Sequence, residues 1–301
     1  MIQKKSKIIV IVGPTASGKT GLSLLLAQQF VGEVINADSR QVYKGLDIGT
    51  EKIPHKEMGG IPHHLLSIVD INEVYTAMDF KNDAETAIAE ITVRGNIPII
   101  AGGTFFYIDT LLGKMSTSPV EPNWQLREEL EKLPVEVLYK QLQEKDLRRG
   151  ATIEKDNKRR LIRALEIVDT LSQVPEQNTK IECPYDALTI GISVDKEMLK
   201  ERLRLRAQSA LTRGLVEETK SLLAAGVSKE RLSEIGLQYK VVMEYIDDII
   251  TDTELIQKLG EKNWQYAKRQ LLWLKRNKDI IWFERDETEK IVRQVHTFLQ
   301  S

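Results

Sequence analysis

The strongest chemical signal in this sequence is a run of eight residues that begins at Gly13 and reads GPTASGKT. It fits the pattern G-x-x-x-x-G-K-[ST], in which the backbone N–H groups of a glycine-containing loop surround phosphate oxygens. Lys19 supplies a positive charge, and the hydroxyl of Thr20 is a ligand for Mg²⁺. We therefore predict a loop that binds a di- or triphosphate with Mg²⁺, formed by Gly13, Pro14, Thr15, Ala16, Ser17, Gly18, Lys19 and Thr20.

A second candidate is the carboxylate of Asp38, which stands where a short apolar run ends. In open α/β sheets ligands bind beyond the carboxyl ends of the strands, so we expect Asp38 to face the same crevice as Lys19. There it could take a proton from an attacking nucleophile, in a kinase as well as in other transferases. The alternative is a helix N-cap or turn aspartate, with Ser39 as a second capping candidate.

The elements that must position these groups alternate between strand and helix. Short apolar runs predict strands at 7–12, 34–37 and 97–101, and helical spacing predicts helices at 20–30 and 76–94. This alternation indicates a parallel sheet that is covered on both faces.

The remaining chain is mostly helical in period. Residues 124–171 are charged and contain no convincing strand, which indicates a helical insertion before a predicted strand at 187–194. Further helices are predicted at 196–213, 215–225, 229–245 and 253–275. We therefore predict an α/β fold: a P-loop NTPase-like parallel sheet with a helical insertion and C-terminal helices. The first part of the core is 1–117, and the helical insertion is 118–184. The last part, 185–301, contains a core strand and the helices that complete the site.

Composition restricts the protein class. Among 301 residues, 43 Lys and Arg nearly balance 44 Asp and Glu, so a nucleic-acid surface would have to come from local clusters of basic residues. Cys183 is the only cysteine, which excludes an internal disulfide and a cysteine-based zinc site. The apolar run at 8–12 is too short for a signal peptide or a membrane span. We expect a soluble cytoplasmic monomer that does not contact a membrane.

Two other functions use the same loop. A small-molecule or nucleotide kinase would use Asp38 as its base, and an RNA-binding ATPase would use the loop as a switch. Against both, the predicted strand at 97–101 ends in Gly102-Gly103-Thr104, without the aspartate that usually holds the Mg²⁺-bound water in NTPases.

The motifs together resemble one family, the tRNA dimethylallyltransferases, from about Ile8 to Trp282. In the order seen in that family, the sequence contains GPTASGKT, DSRQVY at Asp38–Tyr43, DIGT at Asp47–Thr50, PHHL at Pro62–Leu65, GGT at Gly102–Thr104, RLIRALE at Arg160–Glu166, GLVEE at Gly214–Glu218 and YAKRQ at Tyr266–Gln270.

The resemblance implies transfer of a dimethylallyl group from dimethylallyl diphosphate to the exocyclic amine of the adenosine 3′ of a tRNA anticodon. It implies that the phosphate loop holds the diphosphate, that Asp38 is the base, and that Arg206 bridges the reacting groups. Lys19 and Thr20 complete the implied catalytic set. The implied contacts with the tRNA anticodon stem-loop are Asp38, Ser39, Arg40, Gln41, Thr104, Arg127, Arg159, Arg160, Leu161, Ile162 and Arg163.

Three locally basic segments, 155–163, 196–206 and 268–278, are consistent with phosphate contacts, although a single such run is more often a solvated helix face. Some positions depart from the family pattern, among them Ala210, the longer segment 235–240 and Asn263-Trp264. The proposed catalytic residues match the family pattern, so these departures leave open the finer substrate preference and the strength of tRNA binding, not the reaction.

Overall fold

The computed structural model describes residues 5–115, 118, 120–175 and 182–301. Within these residues the strands are β1 (Lys7–Val12), β2 (Gly32–Asn36), β3 (His63–His64), β4 (Ile97–Ala101), β5 (Asp186–Ser193) and β6 (Ile281–Glu284). The α-helices are α1 (Lys19–Phe30), α2 (Ala77–Val93), α3 (Phe105–Leu111), α4 (Trp124–Glu131), α5 (Val135–Lys145), α6 (Leu147–Thr152), α7 (Lys158–Leu171), α8 (Lys196–Thr212), α9 (Leu215–Ala224), α10 (Lys229–Ile235), α11 (Leu237–Ile246), α12 (Asp252–Leu274) and α13 (Thr288–Gln300).

The strands form one parallel sheet in the order β3-β2-β4-β1-β5-β6. β1 lies inside the sheet, where Ile9 is paired with Ile99 of β4 and with Leu188 of β5. Because all strands run in the same direction, the loops that follow β1, β2, β4, β5 and β6 leave from one edge. This confirms the predicted α/β fold and brings the phosphate loop and the residues after β2 to the same edge.

The two faces of β1 pack into different cores, as the period of a strand requires. Ile8 and Val10 pack in a cluster with residues of α2 and α3, whereas Ile9 and Ile11 pack with residues of α1 and α13. These residues are fully buried. Burial on both faces explains why β1 is an unbroken β-branched run rather than an alternating pattern.

Three features differ from the expectations for the sequence. The helix predicted at 229–245 is two helices, because the backbone at Gly236 is extended between α10 and α11. The C-terminal part adds β6 at the sheet edge and α13 after it, neither of which was predicted. β3 is a two-residue strand at the other edge.

The chain forms two compact units, Met1–Lys114 with Glu182–Ser301, and Met115–Ile181. The second unit contains α4 to α7 and has its own hydrophobic core, which includes Leu138, Leu142, Leu161 and Leu165. Among the described residues, no helix combines the length and the apolar character that crossing a membrane requires.

Candidate active site

The loop between β1 and α1 has the geometry of a phosphate cradle. Ala16 and Gly18 adopt left-handed backbone conformations, with φ of 63° and 103°, and the N–H of Ser17 donates to the carbonyl of Pro14 at 3.2 Å. No side chain caps the N-terminus of α1, and its first turn contains no acidic residue. The first N–H groups of α1 are therefore available to an anion, whose charge the helix dipole favours.

Inside this loop, Lys19 folds back onto the main chain. Its Nζ donates to the carbonyl oxygens of Gly13 and Pro14, at 2.9 and 2.8 Å. Burial, together with the charge of Arg206, lowers the pKa of Lys19 to about 7, although Asp38 acts in the opposite direction. A bound anion would favour the charged form of this lysine.

Two hydroxyl groups of the loop have unused bonding capacity. The Oγ of Ser17 is buried and has no hydrogen-bond partner among the described residues, which suits a site that a phosphate group completes. Thr20 is exposed in the first turn of α1. The described residues contain no group of three or more His, Cys, Asp or Glu that could hold a metal. The exposed hydroxyl of Thr20 could hold a Mg²⁺ ion together with oxygens of a bound phosphate, as is usual for Mg²⁺ at phosphates.

Arg206 reaches the loop from α8. Its Nη1 donates to the Oγ1 of Thr15 at 3.0 Å, and its Nε lies 3.6 Å from the Oε1 of Glu51. Arg213 pairs with the other oxygen of Glu51 at 2.5 Å. Burial lowers the pKa of Arg206 from its ordinary value, against the charges of Glu51 and Asp38. The predicted Arg206 thus lies at the loop, and Glu51 is a partner that the sequence did not reveal.

Asp38 leaves the sheet at the end of β2 and forms a turn. Its Oδ1 accepts from the N–H of Arg40 at 2.9 Å, which is the turn role considered as the alternative for this residue. Its Oδ2 lies 3.7 Å from the position that a Cβ on Gly103 would occupy. Asp38 is also among the charges that affect the pKa of Lys19 and of Arg206. One carboxylate oxygen therefore holds the turn, and the other lies beside the Gly-Gly-Thr loop.

The Gly-Gly-Thr loop after β4 is packed directly on the end of β2. A Cβ on Gly102 would lie 2.1 Å from the carbonyl oxygen of Ala37, a distance that only glycine allows. The Oγ1 of Thr104 accepts from the N–H of Ser39 at 2.9 Å and donates to the Oγ of Ser39 at 3.1 Å. The structure thus brings together the predicted Ser39, Thr104 and Asp38.

Gln270 on α12 forms hydrogen bonds with both the phosphate loop and the Gly-Gly-Thr loop. Its Oε1 accepts from the N–H of Thr15 at 2.8 Å, and its Nε2 donates to the carbonyl of Gly103 at 3.0 Å. Gln270 is only 4% exposed. Tyr266, one turn earlier, shares this environment: burial and the charge of Asp38 raise its pKa to about 12. Both belong to the YAKRQ motif, which was the signal for this position, although no role for them was predicted.

The predicted Gln41 is engaged in the protein itself. Its Nε2 donates to the carbonyl oxygens of Thr50 and Glu51, at 3.0 and 3.3 Å, whereas Arg40 is exposed. The loop that Gln41 contacts is also held by Glu218, whose carboxylate accepts from three successive N–H groups, those of Asp47, Ile48 and Gly49. The DIGT and GLVEE motifs therefore fix the loop that carries Glu51.

In the helical unit the predicted tRNA contacts differ in availability. Arg127 and Arg163 both pair with Glu166, which is 1% exposed. Leu161 and Ile162 lie in the core, because they occupy the apolar face of α7, so their side chains are not available to RNA.

Arg159, Arg160 and Trp124 present polar or aromatic groups at the surface of this unit. Arg159 and Arg160 are exposed, and Arg160 lies 3.0 Å from Glu154. Trp124, which was not predicted to contact tRNA, is 55% exposed and lies under the guanidinium of Arg127.

Comparisons with known proteins show which family this chain resembles. The sequence profile of IPP transferase matches residues 41–277. A tRNA dimethylallyltransferase of Halalkalibacterium halodurans is 35% identical over 305 residues, which cover 98% of this chain and 97% of the relative. The crystal structure of a tRNA isopentenylpyrophosphate transferase from Staphylococcus epidermidis has a TM-score of 0.72 and 35% identity, over 97% of this chain and 100% of that one. A eukaryotic dimethylallyltransferase, solved acting on tRNA, has a TM-score of 0.78 and 32% identity, over 93% and 74% of the two chains.

Proposed function

This chain belongs to the IPP transferase family, and we propose that it moves a dimethylallyl group from dimethylallyl diphosphate to the exocyclic amine of the adenosine 3′ of a tRNA anticodon. It is a prenyltransferase, and tRNA is its substrate. The observation that carries the finer proposal is the link from Thr15 through Gln270 to Gly103, beside which Asp38 lies. This link joins a phosphate cradle to a carboxylate across one site.

The nucleophile in this reaction is weak, because the lone pair of an adenine amine is delocalised into the ring. Asp38 accepts a proton from the amine as its nitrogen bonds to the C1 carbon of the prenyl group. The C1–O bond breaks, and its electron pair leaves with the diphosphate. The allylic carbon tolerates the positive charge that develops during this displacement.

Negative charge grows on the departing diphosphate. Lys19, Arg206 and the N–H groups at the start of α1 are placed to stabilise it. Mg²⁺ held by Thr20 and diphosphate oxygens would neutralise further charge. Because a stacked base cannot enter the crevice, the target adenine is expected to be flipped out of its loop.

We propose that the protein works as a monomer in the cytoplasm. The groups assigned to both substrates come from this single chain, which supports the monomeric state, and unmodified tRNA is available in the cytoplasm. Arg40, Thr104 and Arg159 are proposed to contact the tRNA. The exposure of Arg40 and Arg159 supports this assignment.

The test combines purified protein, Mg²⁺, dimethylallyl diphosphate and an unmodified tRNA with adenosine 3′ of its anticodon. Nucleoside mass spectrometry should detect dimethylallyl adenosine, and Asp38→Asn should reduce the rate by about 10²–10⁴-fold, the usual contribution of a general base. Asp186→Asn is the matched control, because Asp186 begins β5 at the sheet edge away from the phosphate loop. No product from folded protein across several such tRNAs would reject the proposal, and ATP-dependent kinase activity would then be assayed.

A further inference from the structure

Arg285 stands at the edge of the sheet where the phosphate loop begins. It follows β6, which is paired with β5 through Ser193 and Glu284. The Oγ of Ser193 also donates to the carbonyl of Phe283 at 3.1 Å, which holds the end of the strand in register. Because β6 and β1 are parallel members of one sheet, Arg285 leaves β6 at the same edge at which the phosphate loop leaves β1.

The side chain of Arg285 lies directly against the phosphate loop. Its Nε, Cδ and Cγ atoms are 3.0, 3.5 and 3.7 Å from the position that a Cβ on Gly18 would occupy. Gly18 has a left-handed φ of 103° and is the N-cap of α1, so the arginine lies beside the residue at which the helix N-terminus opens. Because three consecutive atoms lie near this position, the side chain runs past Gly18 rather than approaching it only at the tip.

Arg285 is exposed, and the part of the chain that the structure describes does not neutralise its charge. Among the described residues, its guanidinium forms no ion pair and no hydrogen bond, although Glu284, Asp286 and Glu287 are neighbours in sequence. Glu287 is instead engaged with the N–H of Glu284, at 2.9 Å, and with Lys290. An exposed guanidinium with unused donors beside a phosphate loop is suited to bidentate contact with phosphate oxygens.

We infer that Arg285 is a further diphosphate-binding residue, which contacts the diphosphate across Gly18 from the β6 side while Arg206 contacts it from α8. The inference rests on the proposed function for the identity of the prenyl donor. As the C1–O bond breaks, the leaving diphosphate gains the electron pair, and Arg285 stabilises that charge. A phosphate of tRNA is the other anion that Arg285 could meet, but the contact with Gly18 places the guanidinium at the donor loop.

The first experiment measures binding of inorganic pyrophosphate with Mg²⁺ to the full chain by calorimetry, which requires no prenyl transfer. Arg285→Gln should weaken binding by about 10–100-fold, the usual effect of losing a charge-assisted hydrogen bond. Arg285→Lys should lie between this variant and the wild type, since it keeps the charge but loses the planar fork. Arg293→Gln removes the same charge from an exposed position on α13 and should bind as the wild type does.

The second experiment measures steady-state prenyl transfer. Arg285→Gln should raise the KM for dimethylallyl diphosphate and leave the KM for tRNA unchanged. Equal pyrophosphate affinity in Arg285→Gln and Arg293→Gln would overturn the inference, as would a rise in the KM for tRNA alone. Wild-type protein that binds pyrophosphate through Arg285 but transfers no prenyl group would instead reject the proposed function and leave this inference standing. Thermal unfolding of each variant separates lost binding from lost folding.

Discussion

At the scale of single residues, we expect Lys19 to make diphosphate binding depend on pH. Its pKa is lowered to about 7 in the free protein, so at pH 8 it is mostly neutral. A diphosphate favours the charged form, so binding at pH 8 should take up a proton, whereas at pH 6 the lysine is already charged. We expect more proton uptake at pH 8 by wild type than by Lys19→Arg, whose charge does not titrate. Calorimetry in buffers of different ionisation enthalpy measures this difference, and equal uptake would contradict the lowered pKa.

Gln270 offers a second test at this scale. Gln270→Glu keeps the shape of the side chain but loses the Nε2 donor to Gly103 and introduces a buried carboxyl group near Asp38. We expect the free energy of unfolding to fall by about 1–3 kcal/mol at neutral pH. Burial raises the pKa of the introduced group above its unfolded value, so stability should recover as the pH falls and the group becomes protonated.

Chemical denaturation between pH 5 and 8 checks this expectation. Gln265→Glu, on an exposed position of the same helix, is the control and should leave stability nearly unchanged. A stability loss in Gln270→Glu that does not respond to pH would contradict the raised pKa of the introduced carboxyl group.

At the scale of elements, the sequence predicted the helices and strands whose hydrophobic residues repeat with one regular spacing. β1, β4 and the capping of α2 by Thr76 are encoded locally, by an apolar run or by a side chain three residues from its partner. The break between α10 and α11 was missed because the helical pattern of the sequence continues across Gly236, where the backbone is extended. α13 was missed although Ile291, Val295 and Phe298 have helical spacing. β3 has only two residues, and it exists because it pairs with β2.

The contacts within the site were harder to predict than the helices and strands, because many of them join residues that are far apart in the chain. The phosphate loop could be predicted because all of its parts lie within one short motif. The contact of Gln270 with Thr15 joins residues 255 positions apart, and that of Glu218 with Ile48 joins residues 170 apart. Spacing along the chain contains no information about such pairs, so the family motifs marked these residues without explaining what they do.

Glu218 allows this long-range contact to be tested. Its carboxylate accepts from three loop N–H groups and from the hydroxyl of Tyr239, at 2.8 Å. Glu218→Gln places an NH₂ group against these donors, so we expect a stability loss of about 1–3 kcal/mol. Because the same loop carries Glu51, the partner of Arg206, kcat/KM should also fall. Glu217→Gln, at the exposed neighbouring position, should change neither quantity in denaturation and activity assays.

α12 contains a glycine that its packing does not require. Gly260 lies in the interior of this helix, and nothing lies within 4 Å of the position of an added Cβ. Gly260→Ala should therefore stabilise the protein by about 0.5–1 kcal/mol through helix propensity, without changing activity. Gly191→Ala is the contrasting variant, because its Cβ would lie 2.5 Å from the Cγ2 of Ile280. Thermal unfolding should move in opposite directions for the two variants.

At the scale of the whole molecule, the two units are supported by separate cores. The core of the helical unit is built from residues between Val120 and Val174, and none of these belongs to the clusters around the sheet. The near-zero net charge of -1 also means that affinity for a polyanion depends on where the cations lie. We proposed that the diphosphate binds the sheet unit and that residues of the helical unit contact the tRNA, and removing the helical unit tests this division.

Replacing residues 115–181 with a flexible Gly/Ser linker should leave a folded sheet unit that still binds pyrophosphate. Its cores use none of the described residues of the deleted segment, and a flexible linker of about twenty residues adds little closure cost. Affinity for tRNA should fall, and its dependence on salt should become less steep, because the cations at 155–163 are lost. Calorimetry with pyrophosphate and tRNA binding at several salt concentrations measure both effects. A deletion variant that retains the full salt dependence would assign the phosphate contacts of the tRNA to the sheet unit, where the basic segments 196–206 and 268–278 lie.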